Sequence, residues 1–525
     1  MRRARVLTAS SFVALLALSW VSPRVIPYNM DEFVHYHALA CATAPLQHGL
    51  PIFRDGCGLY DLRPPLAASA WPLRSYLYIG SVPAVPFYPF WRLIDDPVSV
   101  RVQGAVFALV ALLLAARLVR VRLASVATAG VLLPVLLVTF LVDEGPVGLS
   151  AVLLLGALAA LRRALGADDR RGSLGWSAAA GLLVFLGMWV KLVFAWWLPA
   201  VAYFAWSEVR RREGGGEGPT RRRTLALAVA ALSCALPTGL LLASVDRDGR
   251  PYLDTALRRG RVEMGPEGVG ESATRLWSYA VDASRVAPRN LVLRHWRVDV
   301  VPGLLALAVV VAGLGRPRRR EVAAWAVLAA LTFAIASASP YSQWPHHFFF
   351  PLLLLVLALA VSLDGLGPRT RRGVLIAAGL FWAALVVRWP GASFPTTSSF
   401  GKDEMLRTLR ARGMDRDTFQ VHASWGTYYI AQLFGDRERI VVYLKGISDD
   451  RRLLAEVRAL AAARGRPVLL VSSRRWDRLQ TPAVAETLGS PRRTWRFGDW
   501  WAVEYGSADP ASPPGRVTAA ATPPP

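Results

Sequence analysis

Eleven apolar runs punctuate this chain, and its arginines crowd into alternate gaps between them. The runs lie near 6–26, 101–118, 123–142, 146–164, 174–190, 192–208, 224–244, 300–315, 321–338, 346–363 and 373–389. Each is close to the ~17–25 residues that a helix needs to cross the hydrocarbon layer. The basic clusters are "RLVRVR" at 117–122, "RRALGADDRR" at 162–171, "RRREGGGEGPTRRR" at 210–223, "RPRRR" at 316–320 and "RTRR" at 369–372. Basic loops resist translocation, so this alternation sets the orientation: with "RRAR" inside, every cluster falls on the cytoplasmic side.

Composition agrees with a polytopic membrane protein. Hydrophobic residues make up 54% of the 525, only 19% are charged, and mean hydropathy is +0.34. A formal net charge of +24 would suggest nucleic acid in a soluble protein, but these arginines are spent on loops between spans, and no nucleic-acid partner is expected. The start "MRRARVLTASSFVALLALSWVSP" has no small-x-small site after its apolar core, so it is read as a retained first span. The segment 76–94, "YLYIGSVPAVPFYPFWRLI", is broken by prolines and glycines and is read as interfacial; as a span it would invert every later loop. Three cysteines exclude a zinc ribbon or a disulfide scaffold, although Cys41 and Cys57 share the first outer loop, where a disulfide can form.

This topology gathers polar residues that took no part in choosing it. Asp31 and Glu32 in "PYNMDEFVHYH", with His35 and His37, leave the first span on the outer side. Asp143 and Glu144 in "VTFLVDEGPVGLS", Lys191 in "LGMWVKLVFAWW", and His346 and His347 in "SPYSQWPHHFFFPLLLL" reach the same face. Each has a plainer reading: a solvated loop start for Asp31 and Glu32, helix-dipole partners for Asp143 and Glu144, snorkelling for Lys191, interface anchoring for the histidines. An ammonium inside apolar sequence costs about 2.5–3.5 kcal/mol unless it is paired or reaches the interface. A metal shared by His35, His37 and the 346–347 pair is disfavoured, because adjacent helical residues point about 100° apart and one of the two faces away. The outer loop 245–300 holds ten arginines and eight acids, so it is no phosphate magnet by itself.

In their order, these motifs resemble the GT-C glycosyltransferase superfamily, in particular the branch of protein O-mannosyltransferases and lipid A aminoarabinose transferases. The resemblance covers roughly residues 1–390. "MDEFVHYH" is similar to the acidic start of that family's first outer loop, "YDLRPPLAASAWPL" to its juxtamembrane Pro-Pro-Leu segment, and "DDPVSVRVQGAVFALVALLLAARLVR" to its arginine-led second span. "VDEGPVGLSAVLLLGALAALRRAL" resembles the motif between the third and fourth spans, "AAGLLVFLGMWVKLVFAWWLPA" the glycine-rich helix ending in lysine, and "PYSQWPHHFFFPLLLLVLALA" the late aromatic and proline motif. Two departures stand out. Leu192 follows Lys191 where relatives carry glycine, and histidines occupy 346 and 347 where many carry arginine or tyrosine.

The resemblance implies a donor sugar on a polyprenyl phosphate and an acceptor hydroxyl on lipid, glycan or protein, joined at the outer face with inversion. It implies Asp31 as catalytic base, with Glu32 and Asp143 beside it and Glu144, His347 and His35 as further candidates. Lys191, Arg63 and His346 are the candidates for the donor phosphate. No cofactor is required by this chemistry, and a divalent metal is disfavoured. A transporter or flippase of lipid-linked sugars is the alternative, and a polyprenyl-lipid binding protein a third; transporters gather charge at the bilayer midplane and carry internal repeats, neither of which is seen in this sequence.

After residue 390 the composition turns soluble. Helix and strand patterns alternate from "DEMLRTLRARG" through "TFQVHAS", "TYYIAQLFG", "RIVVYLKG", "DDRRLLAEVRALAAARG" and "RPVLLVSS" to "TWRFGDWWAVEYG". The expected organisation is therefore about eleven transmembrane helices with juxtamembrane helices in the first outer loop over 1–390, an extracytoplasmic α/β domain over 391–506, and a disordered tail over 507–525.

Overall fold

The structure is a computed structural model that describes residues 17, 28, 31–43, 74–76, 79–133, 146–213, 220–246, 296–337, 349–388, 402–423, 425–435, 440–443, 450–473, 479–497 and 500–506. In chain order the first elements are α1 (Asp31–Val34), α2 (His37–Thr43), β1 (Arg74–Tyr76), β2 (Ile79–Gly80) and α3 (Ala84–Leu93). Longer helices follow: α4 (Val98–Leu118), α5 (Leu123–Val131), α6 (Val147–Gly166), α7 (Arg170–Val190), α8 (Leu198–Glu213) and α9 (Thr220–Asp246). After them come α10 (Trp296–Leu314), α11 (Arg319–Ser337), α12 (Phe349–Gly365) and α13 (Pro368–Arg388). The last stretch holds α14 (Lys402–Ala411), α15 (Met414–Asp417), β3 (Phe419–His422), α16 (Trp425–Phe434), β4 (Ile440–Tyr443), α17 (Arg451–Ala462), β5 (Val468–Ser473), α18 (Pro482–Leu488), β6 (Pro491–Phe497) and β7 (Trp500–Tyr505).

These elements form two compact units. The first comprises 1–26, 77–83 and 100–395, the second 27–76, 84–99 and 396–525. In the first unit, α4, α6, α7 and residues Arg222–Leu242 of α9 are long and apolar enough to cross a membrane, and Leu304–Leu314 and α12 are shorter apolar helices. Helix α12 is apolar on all sides, as a helix surrounded by others should be, and it packs against α5, α10 and α11 with Phe349, Leu354, Leu357 and Leu359 sealed from the surface. By contrast, Leu232, Leu236 and Leu240 form an exposed stripe along α9, and Leu304, Leu307 and Val311 do so on α10. Such stripes are stable facing lipid and costly facing water. The segment read as interfacial holds the ten-residue α3, with Pro89 inside it, which is too short to span.

The basic clusters meet at one end of this bundle. Arg162 of α6 pairs with Glu208 of α8 at 2.6 Å and also donates to the Leu118 carbonyl at the end of α4. Arg318, just before α11, donates to the Val119 carbonyl at 2.6 Å, and Arg122 pairs with Asp364 near the end of α12 at 2.9 Å. Arg222 of α9 donates to the Asp168 carbonyl between α6 and α7 at 2.6 Å. Five loops far apart in sequence thus share one face, as the alternation of clusters requires. Helix ends left with unpaired carbonyls are satisfied there by arginine, which also opposes the helix dipole.

Helices α7 and α9 approach at a glycine. A Cβ added at Gly181 would fall on the Ala230 carbonyl oxygen and against Ser233. Small residues let backbones close in this way where lipid supplies no hydrophobic drive. Gly181→Val is therefore expected to part α7 from α9 and cost about 1–3 kcal/mol, read as a lower unfolding temperature in detergent, whereas Gly239→Ala, which meets open space, should be near neutral.

The second unit is built on a five-stranded sheet in the order β4-β3-β5-β7-β6, parallel from β4 to β5 and antiparallel beyond. Alternation along β5 divides its residues between two cores. Val468 and Leu470 join Phe419, Val421, Leu454, Val457 and Val503 on the face covered by α17, and Leu469 and Val471 join Met405, Leu409, Phe497 and Trp500 on the face covered by α14. A strand buried on both faces reads as an unbroken apolar run, as "VLLV" does.

Candidate active site

The acidic motif begins the described part of the second unit. Asp31 opens α1; its backbone is helical and its side chain is outside the described residues. Glu32 and His35 are wholly buried and His37 is 3% exposed, so this stretch is no solvated loop start. Burying a carboxylate is costly without compensating groups, and a segment that accepts that cost is a candidate for chemistry.

Aromatic contacts fix this stretch on two sides. Phe33 meets Phe434 edge-on with ring centroids 6.1 Å apart, and the His37 ring lies 5.7 Å from Tyr428 and 5.2 Å from Tyr429. Tyr36 packs on Phe87 of α3 at 4.2 Å, and one turn later Trp91 Nε1 donates to the Leu433 carbonyl at 2.8 Å. Thus α1 and α2 are held by both α3 and α16. Helix α16 is itself tied to the sheet, since His422 Nδ1 lies 2.9 Å from Thr427 Oγ1 and His422 Nε2 lies 3.2 Å from Gln420 Oε1. The Gln420 oxygen only accepts, so Nε2 carries the proton and Nδ1 accepts from the threonine; both bonds suit the neutral ring.

Burial drives the His37 ring down to about 4 and His422 down to about 3, from an ordinary 6.5. Both are neutral when folded and protonate more readily when unfolded, so the unfolded state takes up more protons between the two values. Stability then falls as pH drops from about 6.5 towards 4, by about 2 kcal/mol for each ring at pH 5, and is insensitive to them above 7. The unfolding temperature of the second unit should be lower at pH 5 than at pH 7.5, and His422→Gln should flatten that dependence.

Lys191 belongs to the first unit, at the end of α7 away from the arginine ties. Its backbone leaves the helix, with φ −159° and ψ 114°, and bridges to Ile79 before a 3-10 turn over Leu192–Trp197. Glycines shape this break: a Cβ at Gly187 would strike the Trp197 ring and one at Gly80 the Trp189 carbonyl. Trp197 in turn packs 5.0 Å from Phe350 at the start of α12. Lys191 is 2% exposed, which does not fit an ammonium snorkelling to an open surface. The run 192–208 accordingly starts as a 3-10 turn, and its α-helix begins at Leu198.

Asp31, Glu32 and His35 therefore share one short stretch of the second unit, and Lys191 lies in the first. Arg63, Asp143, Glu144, His346 and His347 lie outside the described residues, as do Cys57 and most of 245–300. Among the described residues no group of three or more His, Cys, Asp or Glu side chains is arranged to hold a metal ion. Arg101, wholly buried three residues into α4, was legible as the charge that opens the run 101–118, but was not among the expected site residues. The aromatic partners on α16 had no sequence signal, because 390 residues separate them from the motif.

No family model matches the sequence, and no curated protein matches it. Among solved structures, the crystal structure of ArnT from Cupriavidus metallidurans in the apo state aligns over 96% of this chain and 99% of its own, with TM-score 0.59 and 14% identity. The chain shares the fold of that structure. An alignment of nearly both full lengths includes the α/β stretch after residue 390 as well as the helices, so the likeness is not confined to the bundle.

Proposed function

We infer that this protein is an integral membrane glycosyltransferase of the GT-C type. It moves a sugar from a polyprenyl-phosphate donor to an acceptor hydroxyl on lipid, glycan or protein, at the extracytoplasmic face of the inner (plasma) membrane. The observation that carries this reading is the fold shared with ArnT over 96% of the chain. Support comes from the buried acidic motif and from Lys191, buried at the bundle end opposite the arginine ties.

A donor with a long lipid tail keeps its head group at the membrane surface, which demands a site at that level. The leaving polyprenyl phosphate is a stable anion and needs little acid help, whereas the acceptor hydroxyl, with a pKa far above 7, needs a base within hydrogen-bond reach. Asp31 takes that proton as the hydroxyl oxygen attacks the anomeric carbon and the bond to phosphate oxygen breaks. One such displacement inverts the centre and needs no covalent intermediate. Lys191, with Arg63 and His346, meets the charge that grows on the phosphate, and fixed donors in a dry site do so more strongly than water. Glu32 and Asp143 orient the acceptor.

The reading is tested by comparing cells with and without the protein, using mass spectrometry of lipid-linked sugars and envelope glycans. A polyprenyl-phosphate sugar should accumulate while one glycan, lipid or protein loses that sugar. A loss of sugar from several unrelated products at once points instead to a flippase that feeds many transferases.

A further inference from the structure

The second unit joins two segments that the sequence keeps far apart, the acidic motif and the C-terminal sheet. Ring contacts join them: Phe33 on Phe434, and His37 against Tyr428 and Tyr429. Phe33 follows Glu32 directly, and His37 lies four residues further at the start of α2, so the two anchors hold the stretch that begins at Asp31 on both sides of the turn between α1 and α2. The support extends behind them. The Tyr428 and Tyr429 rings lie tilted against each other with centroids 5.0 Å apart, Tyr428 lies 6.4 Å from the His422 ring, and His422 is hydrogen-bonded within the sheet and to Thr427. Trp91 closes the arrangement from α3 through the Leu433 carbonyl.

We propose that α16 positions the acidic motif, with Tyr428, Tyr429 and Phe434 acting as positioning residues on Asp31 and Glu32 through the rings of His37 and Phe33. The C-terminal α/β unit is then part of the reaction centre rather than a lid over it. This rests on the transferase reading above, because positioning has a catalytic consequence only if Asp31 is the base. A base displaced by about 1 Å loses much of its advantage, since proton transfer requires hydrogen-bond geometry. Four short residues of α1 cannot hold that geometry alone, so the rings supply it.

The test uses the full-length protein in lipid nanodiscs, with hydrogen exchange read by mass spectrometry and product glycan measured in cells. Replacing Tyr428 and Tyr429 together by alanine should speed exchange in residues 31–43 about tenfold while residues 468–473 of β5 stay protected, and product should fall about tenfold or more. The paired Tyr→Phe variant keeps the rings and should restore both readouts. If the alanine pair also exposes β5, Phe434→Leu serves instead, with the same selective exposure of 31–43 expected. Unchanged exchange in 31–43 with β5 protected, or phenylalanines behaving as alanines, overturns the proposal. Selective exposure of 31–43 with unchanged product also overturns the proposal, because transfer then does not depend on how the motif is held. Asp31→Asn, by contrast, should abolish product with 31–43 still protected, and unchanged product in that variant counts against the transferase reading instead.

Discussion

Asp31→Asn should reduce sugar transfer by about 10²–10⁴-fold, the span that a positioned general base contributes. The amide keeps the size and shape of the carboxylate but has no basic oxygen to take the acceptor proton. Expression and unfolding temperature should stay at the wild-type level, because α1 is secured by Phe33 and His37 rather than by Asp31 alone. In cells the variant should reproduce complete loss of the protein, with the polyprenyl-phosphate sugar accumulating and the product glycan missing. Wild-type glycans in cells that make the variant would remove Asp31 as base.

Lys191→Glu should have the second large effect, and it acts through two routes that a control separates. It removes the cation proposed to meet the donor phosphate, and it places a carboxylate at a position only 2% exposed. Leaving a buried charge without compensation costs about 3–5 kcal/mol, so part of the damage is to folding. Lys191→Met keeps the length of the side chain and introduces no charge. Its unfolding temperature should stay near that of the wild type, while affinity for undecaprenyl phosphate, measured on the full-length protein in nanodiscs, falls about 10–100-fold as one charge-assisted hydrogen bond is lost. Equal affinity in Lys191→Met would return Lys191 to a purely structural role.

Much of the helical bundle was legible because its forces are local and periodic. Helices α4, α6 and α7 lie close to the runs read as 101–118, 146–164 and 174–190, and the break expected at Lys191 is where α7 ends. The strands and most helices after residue 390 also follow their patterns, from Phe419–His422 to Trp500–Tyr505, whereas α18 has only a Thr481 cap and Pro482 as signals. The candidate site was legible only in part. A charge inside or at the edge of an apolar run is marked by its transfer cost, as Lys191 and Arg101 are, whereas Asp31 and Glu32 are marked by their pairing at the exit of a span. Aromatic residues such as Tyr428 and Phe434 carry no such mark, since an aromatic in a helix is most often core.

The sequence by itself determined the number of apolar runs, the face on which the arginines gather, and the presence of acids and a lysine at span ends, because each follows from transfer free energies that act residue by residue. Only the tertiary structure decided that Glu32 and His35 are sealed from solvent, that Lys191 is enclosed rather than snorkelling, and that α16 holds the motif near the start of the chain. Those facts depend on which surfaces exclude water from one another, and contacts across 390 residues leave no periodicity to read.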